Sequence, residues 1–289
     1  MIGDGWRHAA GRLAVIGALL GASGALAPAE AQRRLGLVRG TETGLVYGTS
    51  GWQRVTNAIN TAFGGAANVS VLDGLTAAGL GGVDALWIDL RAGSSSLSAA
   101  ERTELRNFAA TGRRVVIIGE NQGWTTWNNS FLNELGGSFD QRATGTPAVA
   151  LTHPITSGIT NLPLASAGTA IGGTSLFASN VATLWGPTAN VLTFLDASTL
   201  GDGNWNNLIL GGPSNQAIFA GNVTTWVAAP VAVIPEPGTW MLLGTGLLAL
   251  GGVAARRRRW RPRRAAGRAP RDRRARPRPH RAQPNRPAT

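Results

Sequence analysis

The stretch that decides the fold is Val83-Asp84-Ala85-Leu86-Trp87-Ile88-Asp89-Leu90, followed by Leu97-Ser98-Ala99-Ala100-Glu101 and closed by Gly112-Arg113-Arg114-Val115-Val116-Ile117-Ile118-Gly119. Residues 85–90 and 114–118 are short apolar runs, the pattern of parallel strands buried on both faces. Between them Ser98 stands at an N-cap with Glu101 three residues on, a capping box, and Leu105, Phe108 and Ala109 give an inward stripe at helical spacing. Gly112 stops the helix. Strand, helix and strand joined by short connections predict a right-handed crossover.

Outward from this unit the same alternation continues. Leu45-Val46-Tyr47 reads as a short strand ending at Gly48, and Gln53 to Phe63 as a helix with Val55, Ala58, Ile59 and Ala62 on one face. Val69 to Leu72 and Val191 to Leu195 read as strands, and Gln216 to Val227 as a closing helix. From Gln141 to Trp185, Gly, Thr, Ser and Ala dominate and no periodicity fixes the order of elements. The fold class expected is α/β, a single open, mostly parallel sheet flanked by helices, of flavodoxin-like or Rossmann-like topology.

Both ends of the chain carry targeting chemistry. Arg7 and His8 precede an apolar stretch from Leu13 to Ala22, and Ala29-Glu30-Ala31 offers the small residues a signal peptidase accepts, so residues 1–31 read as a signal peptide and Gln32 as the mature start. At the other end stands Ile234-Pro235-Glu236-Pro237-Gly238, then an apolar run from Thr239 to Ala255, then Arg256-Arg257-Arg258-Arg259. Seventeen residues at about 1.5 Å each span roughly 25 Å, enough to cross the apolar part of a membrane. The arginines stop transfer and keep that end cytoplasmic, which leaves the rest on the far side of the inner membrane. The plainer alternative is a short buried helix at each end of a cytosolic domain.

Pro-Glu-Pro-Gly, apolar helix and arginine cluster in that order resemble the C-terminal sorting signal of PEP-CTERM proteins, with Pro235, Glu236 and Pro237 on the signature triplet. The resemblance implies export by Gram-negative bacteria, transient anchoring by the helix, cleavage near the triplet by an exosortase, and a place at the cell surface or in a biofilm matrix of exopolysaccharide. Two prolines around Glu236 forbid helix and hold the segment extended, as a protease needs it. They also suit the simple end of a domain before an ordinary anchor.

The family's signals stop soon after the arginines, whereas residues 256–289 continue as an Arg/Pro-rich segment that composition predicts to be disordered. Fifteen of the 27 basic residues lie there against one acid, Asp272, so this tail carries +14 and the rest of the chain −2. The pI of 11.8 therefore says nothing of the exported part, and topology rather than nucleic-acid binding accounts for the first arginines. The domains expected are 1–31 signal peptide, 32–230 exported α/β domain, 231–238 linker and sorting motif, 239–255 transmembrane helix and 256–289 tail.

The exported part has no cysteine, which excludes disulfides, thiol nucleophiles and thiolate metal ligands. Residues 83–90, the helix opened by Leu97-Ser98, residues 112–119, Thr152-His153-Pro154-Ile155-Thr156-Ser157-Gly158-Ile159, Asp196 at a strand end, and Asn222 with Trp226 together resemble the class I glutamine amidotransferase-like superfold. Its active members place a cysteine on the turn that here reads Gly119-Glu120-Asn121-Gln122-Gly123, so the resemblance implies a domain without that chemistry.

Glu120 and Asn121 lie where open α/β sheets bind ligands, at strand carboxyl ends. Glu120, His153 and Asp196 are the candidates for acid–base chemistry, though Thr-His-Pro also serves to cap backbone groups. No Gly-x-Ser-x-Gly elbow occurs. Asp196, Asp202, Asn204 and Asn206 echo part of a calcium loop, but Pro213 stands where its glutamate belongs, and turn formation uses the same residues. Trp124, Trp127, Trp205 and Trp226 sit among amide side chains and suit stacking on sugars, or, for Trp127 and Trp226, packing of helices on the sheet.

The function expected is thus a non-catalytic exported domain, sorted by exosortase after signal peptidase, associated with surface or exopolysaccharide, and needing no cofactor or metal. A secreted hydrolase acting on carbohydrate or ester, and a permanently anchored single-pass protein, are the alternatives.

Overall fold

The strands in chain order are Leu35–Val38 (β1), Val69–Leu72 (β2), Ala85–Ile88 (β3), Arg114–Ile118 (β4), Ser138–Gly145 (β5), Leu164–Ile171 (β6), Thr174–Ser175 (β7), Ala182–Trp185 (β8) and Val191–Phe194 (β9). The helices are Gln53–Ala62 (α1), Ala77–Leu80 (α2), Ala99–Ala110 (α3), Thr125–Leu132 (α4) and Asn215–Ala228 (α5). The computed structural model describes residues 32–42, 44–204 and 214–231, and residues up to Val231 form one unit. The signal peptide, Pro235-Glu236-Pro237-Gly238, the apolar run, Arg256 to Arg259 and the tail lie outside the described residues. No helix among the described residues is long and apolar enough to cross a membrane.

Seven strands form the main sheet in the order β2-β1-β3-β4-β9-β8-β7. The five from β2 to β9 are parallel, as expected, while β8 runs antiparallel to β9 and β7 to β8. A separate antiparallel pair, β5-β6, makes a second small sheet, so the expectation of a single sheet is corrected. Its cause lies in residues 138–185, where Gly, Thr, Ser and Ala alternate too weakly to mark strands.

Every residue of the parallel strands β1, β3 and β9 is buried, as strands between helix layers are, and so is every residue of the antiparallel β8. The Ser98–Glu101 capping box forms, with Ser98 Oγ accepting from the Glu101 amide at 3.2 Å and Glu101 Oε2 from the Ser98 amide at 2.9 Å. Leu105 and Phe108 are buried, and Gly112 has φ 78°, a left-handed turn that glycine adopts without strain.

The first strand lies elsewhere than the sequence predicts. Residues 45–47 form turns, and the first strand is Leu35–Val38, directly after the expected mature start. The Tyr47 amide, which a strand would spend on a ladder, instead donates to the Asp89 carboxylate at 2.8 Å.

Candidate functional site

Three neighbouring strands, β3, β4 and β9, each end in a buried carboxylate: Asp89, Glu120 and Asp196, at 0, 2 and 0 % exposure. Because the strands are parallel, all three lie on one edge of the sheet, where α/β folds bind ligands.

Asp89 Oδ2 accepts from the Tyr47 amide and Oδ1 from Trp87 Nε1, both at 2.8 Å, and the Gly40 amide also points at it. Burial nevertheless pushes its carboxyl up to about 7. Sequence reading missed this residue, taking it as part of an apolar strand; its signal was a lone acid at the end of the run.

Glu120 is fixed by its neighbours at both backbone and side chain. Asn128, fully buried on α4, donates from Nδ2 to the Glu120 carbonyl at 2.7 Å and accepts from the Glu120 amide at 3.3 Å, as a paired strand would. Glu120 Oε2 accepts from the Asn121 amide at 2.9 Å, and Oε1 from the Ser198 amide at 3.1 Å and Ser198 Oγ at 2.7 Å. Burial, with the charge of Asp196 adding to it, pushes the Glu120 carboxyl up to about 7 against those hydrogen bonds. The only described non-glycine residues with positive φ are Asn180 and Ala189, so Glu120 does not stand on a strained nucleophile elbow.

Asp196 caps the short 3-10 helix Ala197–Leu200. Its Oδ1 accepts from the Thr199 amide at 3.0 Å, and Oδ2 from Thr199 Oγ1 at 2.7 Å and the Ala165 amide at 2.9 Å. Burial raises its carboxyl too. Asn121 Oδ1 caps Gly123 at 2.9 Å, and its Nδ2 donates to Ser166 Oγ at 3.1 Å.

His153 does not join this cluster. Its Nδ1 accepts from the Ile155 amide at 3.2 Å as the N-cap of a short 3-10 helix, its ring lies 6.2 Å from Trp226, and burial with the Arg114 charge lowers its pKa. Arg114 opens β4 and Glu120 follows its end; six residues at about 3.3 Å put the two edges roughly 20 Å apart. A shared role for Glu120, His153 and Asp196 in proton transfer fails on that distance.

The tryptophans divide. Trp127 is fully buried, with Nε1 donating to the Ile118 carbonyl at 2.9 Å, Phe131 edge-on at 5.4 Å and the Arg91 guanidinium 5.4 Å over its ring, so it cannot stack on a sugar. Trp226 is buried against the sheet as well. Trp124 is half-buried, and its Nε1 has no partner. Trp205 and Asn206 lie outside the described residues.

Of the calcium candidates, Asp202 Oδ1 accepts from the Arg54 amide at 2.9 Å and Asn204 Nδ2 donates to the Ser198 carbonyl at 2.9 Å. Among the described residues no group of three or more His, Cys, Asp or Glu converges on a point where a metal ion would sit.

A comparison with curated proteins finds no match. Among solved structures, the mmIFT52 N-terminal domain is similar over 66 % of this chain and 99 % of its own, with TM-score 0.50 and 13 % identity, a likeness of fold alone. The exo-β-1,4-mannosidase Op5Man5 from Opitutaceae bacterium strain TAV5 aligns over 70 % of this chain and 37 % of its own at TM-score 0.42 and 14 % identity. A putative ThuA-like protein from Bacteroides uniformis aligns over 70 % and 94 % at TM-score 0.40 and 13 % identity, too weak to support the amidotransferase-like resemblance. Residues 233–259 match the family described as the PEP-CTERM protein-sorting motif, so the chain carries the sorting signal of an exported exosortase substrate.

Proposed function

We propose that the exported α/β domain is a non-catalytic module of the cell surface or extracellular matrix, delivered by its sorting signal to an exopolysaccharide-rich environment. The observation that carries this reading is the enclosure of the Glu120–Asp196 pair: all four carboxylate oxygens accept hydrogen bonds from this chain's own amides and hydroxyls. Carboxylates so satisfied and buried hold the strand ends together rather than face a substrate.

The test is to recover the mature protein from its host, locate it among cell, matrix and medium fractions, and offer it glycoside and ester substrates. Enrichment in the matrix fraction, with no turnover sensitive to Glu120→Gln, is the expected result. Turnover that Glu120→Gln abolishes would favour the hydrolase, which one contact supports: Ser198 Oγ donates to a carboxylate poised near neutrality at 2.7 Å.

A further inference from the structure

The main sheet has a free edge at β2. This strand pairs with β1 on one side only, and with four residues it is as long as β1 and β3. The Val69 amide closes a turn on the Ala66 carbonyl, and among the described residues no other backbone hydrogen bond joins β2 to anything but β1. An unpaired edge is a template for another strand, and monomeric folds blunt it with charge, proline, bulges or brevity. The other edges of this domain are blunted: β7 is two residues long, and β5 carries Asp140, Arg142 and two irregularities of register. β2 has no charge, proline or bulge, and its Val71 is 47 % exposed, one of two large apolar side chains so exposed among the described residues.

The surroundings of β2 match it. Asp73 is the one charged residue among the twenty-nine from Val55 to Val83, whereas residues 32–231 hold ten arginines and eleven acids. Exposed Ala66 and Ala67 precede the strand and exposed Ala77 and Ala78 follow it, so small side chains leave room for a second backbone. Depletion of charge marks the middle of protein interfaces, and it leaves this edge no cation with which to hold anionic lipid or polysaccharide.

We propose that β2 is a homodimer interface, where two copies of the domain pair their β2 strands antiparallel about a two-fold axis at Ser70 and join their seven-stranded sheets into one. A two-fold axis perpendicular to the sheet keeps side chains on their own face, so one residue must stand opposite its own copy. With Ser70 in that place, Val69 and Val71 face Val71 and Val69 of the second copy, cross-strand pairs of β-branched residues that stabilise sheets. With Val71 there instead, Asp73 would face Val69. The Ser70 register puts Asp73 opposite Ala67 of the second copy, and the two Asp73 carboxylates six residues apart along the ladder, roughly 20 Å and past a Debye length. Pairing β2 with β7 of another copy would build an open filament, which a two-residue β7 is too short to support. The dimer is independent of the reading of Glu120 and Asp196.

Because the chain has no cysteine, a single introduced thiol tests this. Residues directly opposite in an antiparallel pair have Cα atoms about 4.5 to 5.5 Å apart, within reach of a disulfide. Ser70→Cys, Asp73→Cys and Thr144→Cys, each at an exposed position, are expressed as the full chain in the host, oxidised with copper phenanthroline, quenched with N-ethylmaleimide and run without reductant. Ser70→Cys is expected to give a disulfide-linked homodimer at roughly tenfold the yield of Asp73→Cys, whose copies lie out of reach, and of Thr144→Cys on β5. Adding Val71→Lys to Ser70→Cys is expected to lower the yield to that of Thr144→Cys while leaving the thermal melt of the purified chain unchanged. Equal yields from Ser70→Cys and either other variant overturn the proposal, as does a Ser70→Cys dimer that survives Val71→Lys. A disulfide from Ser70→Cys to a different protein, read by peptide mass spectrometry, overturns it too and assigns the edge to that partner.

Discussion

Asp89 shows how a single side chain links the fold to pH. Three donors from three segments, the amides of Gly40 and Tyr47 and the Trp87 indole, converge on a carboxyl held near 7 by burial. Its folded pKa lies above the ordinary value of about 4, so its contribution to stability is complete below about pH 4 and is lost as pH rises through about 7. Glu120 has the same sign and window. Thermal melts from pH 4 to pH 8 should show stability falling with pH, and Asp89→Asn should flatten that slope while lowering stability throughout, since one amide cannot accept from all three donors. An unchanged slope in Asp89→Asn counts against the assignment. Asn128→Ala, which strips the buried Glu120 amide and carbonyl of their partner, should cost about 2 kcal/mol in denaturant unfolding. Glu120 and Asp196 were legible in the sequence because each follows an apolar run. Asp89 was less so, because Leu90 follows it and the lone acid reads as one position within the apolar run.

At the scale of elements, legibility followed the strength of the local signal. The helix Ala99–Ala110 was readable to its cap, and Glu101 does two jobs there, closing the capping box and pairing with Arg91 at 2.6 Å. Burial pushes the Glu101 carboxyl up, but the Arg91 and Ser98 contacts overcome it and hold the pKa at about 2. That depressed pKa contributes stability above about pH 4.5, lost as pH falls toward 2, the opposite slope to Asp89 and in a lower window. Ser98→Ala should cost about 1 kcal/mol by removing one half of the box, measured by equilibrium unfolding at neutral pH. The pairs β5-β6 and β7-β8 were illegible because tertiary pairing, not side-chain pattern, holds them: six of the eight residues of β5 are Ser, Asp, Gln, Arg, Thr or Gly. Leu35–Val38 is hard to read as a strand because a four-residue apolar run interrupted by Gly36 carries little period, and Leu45-Val46-Tyr47 carries as much.

For the whole molecule, sequence and structure divide the charge along the same line as the sorting signal. The chain's pI of 11.8 comes from fifteen arginines beyond Ala255, and the described domain holds slightly more acids than arginines. The sorting motif spans residues 233–259, and the domain's last described helix ends at Ala228, so cleavage near Pro235-Glu236-Pro237 removes the basic part without touching a packed element. A signal-peptidase cut before Gln32, the mature start that the sequence predicts, would likewise spare β1. The mature protein is therefore expected to focus as a mildly acidic to neutral species, and intact-mass spectrometry should place its ends near Gln32 and residue 235. An intact C-terminus in material recovered from outside the inner membrane, with a strongly basic isoelectric point, would instead establish a permanent single-pass anchor.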